Sequence, residues 1–330
     1  MIGTCREVVV ITGASAGVGR ATARAFARRG ACIGLLARGQ DGLEAARAEV
    51  ESLGGSALVV PTDVADQRQV ERAADAVEQA FGRIDIWINN AMATVFAPVS
   101  DTRPDEFRRA TEVTYLGAVW GSMAALERMR KRNHGTIVQV SSALAYRAIP
   151  LQAAYCGAKH ALRGFTTSLR SELTHDRSNV HVTMVHLPAL NTPQFDWGRT
   201  HLAQQPQPVP PIFQPELAAD AIYWAAHHHR RDLFVGMSSL KAVWANRIAP
   251  GVVDWYLART GFKSQSRNAP VRPGRVDNLW RPVAGDHGAR GSFSASAHDR
   301  SAQLWLTRNR DRVALVGAIV GALIWRRRRR

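Results

Sequence analysis

Cysteine is scarce. Cys5, Cys32 and Cys156 are the three in 330 residues. They share no regular spacing, which excludes a disulfide framework and a thiolate metal site as readings of the sequence. Reduced thiols in a cytoplasmic compartment are expected. Acidic residues are few, 27 against 43 Lys and Arg, and the formal charge is +16. No repeat of solenoid length is present, which excludes a stacked-repeat architecture. A signal-peptide pattern is missing at Met1 to Glu7, because a strand pattern begins at once. His227, His228 and His229 are adjacent, so on a helix they diverge, and a solvated polar end rather than a metal site is expected.

The charge is uneven. Residues 261–330 carry a net +11, which leaves +5 for residues 1–260. No nucleic-acid-reading motif accompanies the basic end, so nucleic acid is not an expected partner. Val313 to Trp325 is an uncharged stretch of thirteen residues between arginines. As a helix it would reach about 20 Å, short of the roughly 30 Å of a bilayer core. Gly317 and Gly321 in it have a helix-contact spacing. Arg326 to Arg330 would be drawn to anionic lipid by about 1 kcal/mol per charge. Residues 303–330 are therefore expected to form a basic, apolar helix that associates with a membrane, with docking on a protein partner or a disordered tail as the alternatives.

What the chain does have is alternation. Strand patterns run at about 8–12, 32–37, 57–61, 84–89, 136–141 and 180–187, with Leu233–Val235 a possible seventh. Helical patterns run at about 40–53, 67–80, 104–131, 152–176 and 214–228. Apolar strands alternating with helices predict an α/β fold, a doubly wound, mostly parallel sheet of six to seven strands covered on both faces. The expected organisation is a catalytic domain over residues 1–240, a helical extension at 241–260, a flexible Gly-, Pro- and Ser-rich linker at 261–302 and the terminal helix at 303–330.

The first strand, Val8 to Ile11, leads into Thr12-Gly13-Ala14-Ser15-Ala16-Gly17-Val18-Gly19 and then a helical run from Arg20 to Arg29. A glycine turn at a strand–helix junction lets backbone approach a pyrophosphate, and the helix start offers free N–H groups and the positive dipole end. The spacing G-x-x-x-G-x-G differs from the commoner G-x-G-x-x-G. The second strand, Cys32 to Ala37, ends at Arg38 with no acid to take a ribose hydroxyl. A guanidinium there suits a 2′-phosphate, which favours NADP(H) over NAD(H). A solvated loop charge is the competing reading of Arg38.

Tyr155 and Lys159 lie four apart on the helix expected from about Gln152 to His175, so they share a face. A nearby ammonium favours a phenolate and lowers the tyrosine pKa, which would let Tyr155 exchange a proton near neutral pH. Ser142, at the end of the strand Thr136 to Ser141, would hydrogen-bond the same substrate oxygen. Each feature alone is weak; the ordered set of loop, serine and Tyr-x-x-x-Lys pair points to a carbonyl/alcohol oxidoreductase.

Over roughly residues 5 to 240 these motifs resemble the short-chain dehydrogenases/reductases. On that resemblance Gly13, Ser15, Ala16, Gly17, Val18 and Gly19 form the cofactor loop. Asp63 and Val64 contact adenine. Asn89-Asn90-Ala91, with Met92 in place of a glycine, matches the family's N-N-A-G sequence. Ser142, Tyr155 and Lys159 are the catalytic set, with Lys159 also on the nicotinamide ribose. Thr114 replaces the usual asparagine, which implies a modified proton relay. Leu187 and Pro188 replace a Pro-Gly pair, and Leu190 and Thr192 fall where the nicotinamide carboxamide is held. The resemblance also implies a homo-dimer or homo-tetramer through the helices at about 104–131 and 152–176.

The segment Pro188 to Pro215, with Phe195, Trp197 and Leu202, reads as a lid carrying a short helix. With Met92, Leu144 and Tyr146 it suggests an apolar substrate; plain anchoring of the loop is the alternative. Leu240 to Thr260 is expected to be helical and broken at Ala249-Pro250-Gly251. A catalytically weak nucleotide-binding regulatory protein or scaffold at a membrane, or an epimerase or dehydratase on the same fold, stays open beside the reductase.

Overall fold

The computed structural model describes residues 5–311 and 313. In chain order the first half is β1 (Val8–Thr12), α1 (Gly17–Ala27), β2 (Cys32–Ala37), α2 (Gln40–Ser52), β3 (Ser56–Pro61), α3 (Gln67–Phe81), β4 (Ile86–Asn89), the two-residue β5 (Val95–Phe96), α4 (Pro104–Thr111) and α5 (Gly117–Arg132). The rest is β6 (Gly135–Ser142), α6 (Ala153–His175), β7 (Val180–Leu187), α7 (Gln194–Trp197), β8 (Arg199–Thr200), β9 (Gln204–Pro206), β10 (Ile212–Phe213), α8 (Pro215–Ala226), β11 (Asp232–Phe234), α9 (Met237–Ile248), α10 (Pro250–Ser264), β12 (Ser266–Pro270), β13 (Ala297–His298) and α11 (Ala302–Arg308).

Seven strands form one sheet in the order β11-β7-β6-β4-β1-β2-β3, parallel throughout. A parallel sheet needs a crossover between neighbours, and the helices supply it on both faces. One core lies on the face of α1, α2 and α8, around Ile11, Phe26, Ile33, Leu35 and Ile222. The other lies under α3, α5 and α6, around Val10, Val77, Trp87 and Leu169. The order of strands reverses between β1 and β4, so their carboxyl ends open a crevice, the ordinary ligand position in such sheets.

The helix expected over 104–131 is divided. Pro104 starts α4, and a single π-helical turn, Glu112–Leu116, joins it to α5. Thr114 sits in that wide turn, fully buried, with its hydroxyl donating to the Ala93 carbonyl and accepting from the Ala93 N–H, both at 2.9 Å. Such turns concentrate at functional positions.

Two expectations are corrected. Cys5 and Cys32 form a disulfide rather than free thiols, because parallel pairing sets the lead-in to β1 beside the start of β2, with the two Cα atoms 5.5 Å apart. Cys156 is free and buried, and burial pushes its thiol up to about 11. Second, residues 261–302 are not a flexible linker. β12 pairs with β9 and β13 with β10, and Leu279 and Ala289 are buried. The composition is loop-like, but long-range partners order it. α11 also docks, with Leu304 in the first core and Gln303 donating to the Phe234 carbonyl. Most of the apolar stretch Val313 to Trp325 and the closing arginines lie outside the described residues, where the membrane-helix expectation falls. Among the described residues no helix is long and apolar enough to cross a membrane.

Candidate active site

A cavity of about 910 Å³ runs along the carboxyl edge of the sheet. At one end are Gly13, Ser15, Ala16, Gly17 and Val18 with Arg38, Asp63 and Val64; at the other are Ser142, Tyr155 and Lys159. The strands deliver these groups because each ends at the same edge. β1 releases the glycine turn, β2 releases Arg38, β3 leads to Asp63 and β6 ends on Ser142 itself.

The loop is tight for a physical reason. Gly13 has φ +68°, which side-chain-bearing residues rarely adopt. A Cβ on Gly19 would lie 2.1 Å from the Gly13 carbonyl oxygen, so Gly19 has no room for any other residue. Asn90 closes the turn: its Nδ2 donates to the Thr12 carbonyl at 2.9 Å and the Gly13 carbonyl at 3.3 Å. The Thr12 hydroxyl accepts from the N–H groups of Asn90 and Ala91. Asn90 thus shapes the loop, and Ala91 and Met92 face the cavity. The N-cap of α1, Ala16, has no side-chain acceptor, leaving the helix start to bind with its backbone.

At the other end Tyr155 and Lys159 occupy the first turns of α6. The Lys159 Nζ is 5.6 Å from the centre of the Tyr155 ring and donates to the Val140 carbonyl at 2.7 Å. Burial lowers Lys159 to about 8. Burial also raises the Tyr155 phenol above its ordinary value, with a hydrogen bond to Ser142 pulling the other way. In these surroundings burial of the phenol outweighs the expected depression of Tyr155 by the ammonium. The Ser142 Oγ accepts from the Leu144 N–H at 3.1 Å. Thr114 is not on the cavity wall; its neighbour Val113 is.

Leu190 and Thr192 both reach the cavity despite the altered segment before them. A bridge from Leu190 to Phe213 and the hydrogen bond from the Asn191 N–H to the Phe213 carbonyl fix the backbone there. α7 brings Phe195 and Trp197 to the wall, while Phe195 also packs against Phe96 at a tilt and Phe293 edge-on, so it both lines and anchors. Leu202 and Tyr146 stay off the wall. Tyr146 lies instead against His186, whose imidazole contacts Asp232 at 3.0 Å and is held neutral by burial.

The chain matches the family model for short chain dehydrogenase over residues 7–200. An uncharacterized oxidoreductase of Bacillus subtilis, YxnA, is 31% identical over 96% of this chain and 89% of its own. The chain belongs to the short chain dehydrogenase family. A fatty acyl-CoA reductase of Acinetobacter baylyi is 29% identical, over 74% of this chain and 81% of its own. Among solved structures, an alcohol dehydrogenase from Thermococcus sibiricus complexed with 5-hydroxy-NADP is similar with a TM-score of 0.61 and 26% identity, over 69% of this chain and 95% of that one. The short chain dehydrogenase match spans the glycine loop and Ser142, Tyr155 and Lys159. It stops well short of the residues that close the cavity from outside.

Those residues were not legible beforehand. Arg109 pairs with Asp63, and its Nε donates to the Leu279 carbonyl at 3.2 Å. Arg38, expected at a 2′-phosphate, donates to the carbonyls of Asn278 and Leu279. Arg20 is almost fully buried and bound to Glu49, with Asp286 at 3.3 Å. The one available signal was the apolar pair Leu279-Trp280 inside a Gly- and Pro-rich stretch.

Proposed function

We propose that the protein is an NADP(H)-preferring oxidoreductase that moves a hydride between nicotinamide and a carbonyl or alcohol of an apolar substrate, with Tyr155 as the acid or base. The observation that carries this is the cavity itself, which joins the glycine loop to Ser142, Tyr155 and Lys159. Its fit to a dinucleotide is supported by the tight loop, the start of α1, which no side chain caps, and the approach reserved by Gly19. When bound, the nicotinamide supplies or accepts the hydride. The protein supplies the proton and the position. A Tyr155 phenol kept protonated by burial is a donor to a developing alkoxide, and Ser142 shares that oxygen. Lys159, still largely protonated below about 8, holds positive charge beside the phenol.

NADP(H) preference is supported by Arg38 and by the lack of an acid at Ala37. The Arg38 guanidinium has five donors, so its two carbonyl contacts leave others for a phosphate. An apolar substrate is supported by the walls beyond the catalytic set, where Leu144, Ile149, Phe195, Val252, Trp255 and Leu257 meet. Titration with NADPH and NADH, followed by absorbance of the reduced nicotinamide with a panel of ketones and aldehydes, tests the reading. Tighter NADPH binding and consumption that Tyr155→Phe reduces by about a thousandfold is the expected result. Tight binding with no consumption across the panel would sink the reductase reading and favour a regulatory role.

A homo-oligomer and a membrane contact through the basic end belong to the same proposal. Because Leu304 is part of the core, the informative truncation removes 313–330 rather than 303–330. Release of the shortened chain from anionic vesicles that retain the full chain is expected; equal retention would sink the membrane contact.

A further inference from the structure

The dinucleotide half of the cavity has a roof, and the roof comes from outside the segment that defines the family. Residues 277–291 lie beyond the matched 7–200. Asn278, Pro282, Val283, Gly285 and His287 line the cavity opposite the glycine loop, Arg38 and Asp63. The nucleotide space therefore lies between the two.

The ties of this strap fall on groups that surround the nucleotide space. At the adenosine end, Arg38 donates to the carbonyls of Asn278 and Leu279, and Arg109 donates to that of Leu279. The Leu279 side chain is fully buried in the core that contains Val64. Asp277 pairs with Arg199 at 3.0 Å. At the pyrophosphate end, the Gly17 N–H, the first of α1, donates to the Gly288 carbonyl at 3.0 Å. Asp286 reaches Arg20, and the Gly285 N–H donates to Asp41 at 2.9 Å. At the nicotinamide end, the Gly291 and Phe293 N–H groups donate to Asn191, next to Thr192. The His287 ring meets Trp197 of the lid edge-on at 4.5 Å.

We propose that residues 277–291 are part of the cofactor site, positioning Arg38 and covering the nucleotide, so that NADP(H) exchanges faster when this strap lifts. The inference rests on the dinucleotide reading above. Asn278 and Leu279 act through Arg38 and are positioning residues. Their carbonyls fix a guanidinium that would otherwise sweep through solvent, and a fixed guanidinium loses less on binding a phosphate. Gly285 and Gly288, at φ +90° and +60°, turn the backbone so that it meets the start of α1. The strap hinders exchange because its contacts tie it to Gly17, Arg20, Arg38, Asp41 and Asn191 around the nucleotide space.

The experiment uses the full chain. Limited trypsin digestion, with cleavage after Arg275, at the edge of the strap, and after Arg290 followed by mass, is run with and without NADPH. Release of NADPH is measured by stopped-flow displacement with NADP in the parent, in Leu279→Ala and in Asp286→Ala. NADPH is expected to protect both sites. Release is expected to quicken about tenfold in Leu279→Ala, which loses the buried anchor. About threefold is expected in Asp286→Ala, which loses a half-exposed ion pair and leaves the core intact. Cleavage that ignores NADPH, with release at the parent rate in both variants, overturns the strap while leaving the reductase reading in place. A parent chain that binds neither nucleotide overturns both.

Discussion

The sheet and the strap are stabilised in different ways. β1, β2, β4, β6 and β7 bury nearly every side chain, and their order follows from apolar area removed from water. The strap has the composition of a linker and buries two side chains fully or nearly so, Leu279 and Ala289. Its order comes from backbone and charged contacts to the cavity rim, on Gly17, Arg38, Asp41, Arg109 and Asn191. A segment too polar to make a core can still be ordered when an existing fold offers it partners. Composition reports the first property and is blind to the second.

The largest test of that contrast is one substitution made twice. Leu35, in the middle of β2, and Leu279, in the strap, are both fully buried. Leu35→Ala is expected to cost about 2–5 kcal/mol of global stability, as buried leucines do. Leu279→Ala removes the same atoms, but the strap can open without the sheet, which caps the global loss at about 1 kcal/mol or less. Urea unfolding of both variants checks this. Equal losses would mean that strap and sheet unfold as one unit, and the contrast would fail.

The same contrast explains what could be read in advance. The alternation of strands and helices, the loop Thr12 to Gly19 and the grouping of Ser142, Tyr155 and Lys159 depend on local pattern: apolar runs, glycine spacing and a four-residue helix step. The roles of Arg20, Arg38 and Arg109 depend on partners about 170 to 266 residues away in sequence. No local pattern encodes such a meeting. Thr114 shows an intermediate case. Its place on the helix was legible, but the π turn that commits its hydroxyl to Ala93 was not. Cys5 and Cys32 likewise come together only through strand pairing.

A smaller effect separates buried charge from exposed charge. Lys159 has its folded value lowered to about 8 from an ordinary 10.5. Between those values the unfolded chain holds a proton that the folded chain has released, so stability rises with pH across that window. Burial of the ammonium costs most below about 8. The raised Tyr155 acts in the opposite sense, but only above its ordinary 10.0. Thermal unfolding between pH 8 and 10 is therefore expected to show a rise of at most about 1.4 kcal/mol per pH unit, flattened in Lys159→Met. An unchanged slope in that variant would remove Lys159 as its source.

The smallest effect is expected at the outer edge of the strap. Arg290 meets Glu216 of α8 at 3.0 Å, with the two side chains 49% and 36% exposed. Water and salt screen such a pair, and the ordering of two long side chains offsets much of the attraction, so Arg290→Gln is expected to change stability by less than about 1 kcal/mol. Its value lies in the contrast with Asp286, whose partner Arg20 is almost fully buried and also holds Glu49. Raising salt should quicken trypsin cleavage at Arg275 in the parent and in Arg290→Gln by similar factors. A variant that abolishes the salt response would place the charged hold of the strap on α8 rather than on α1.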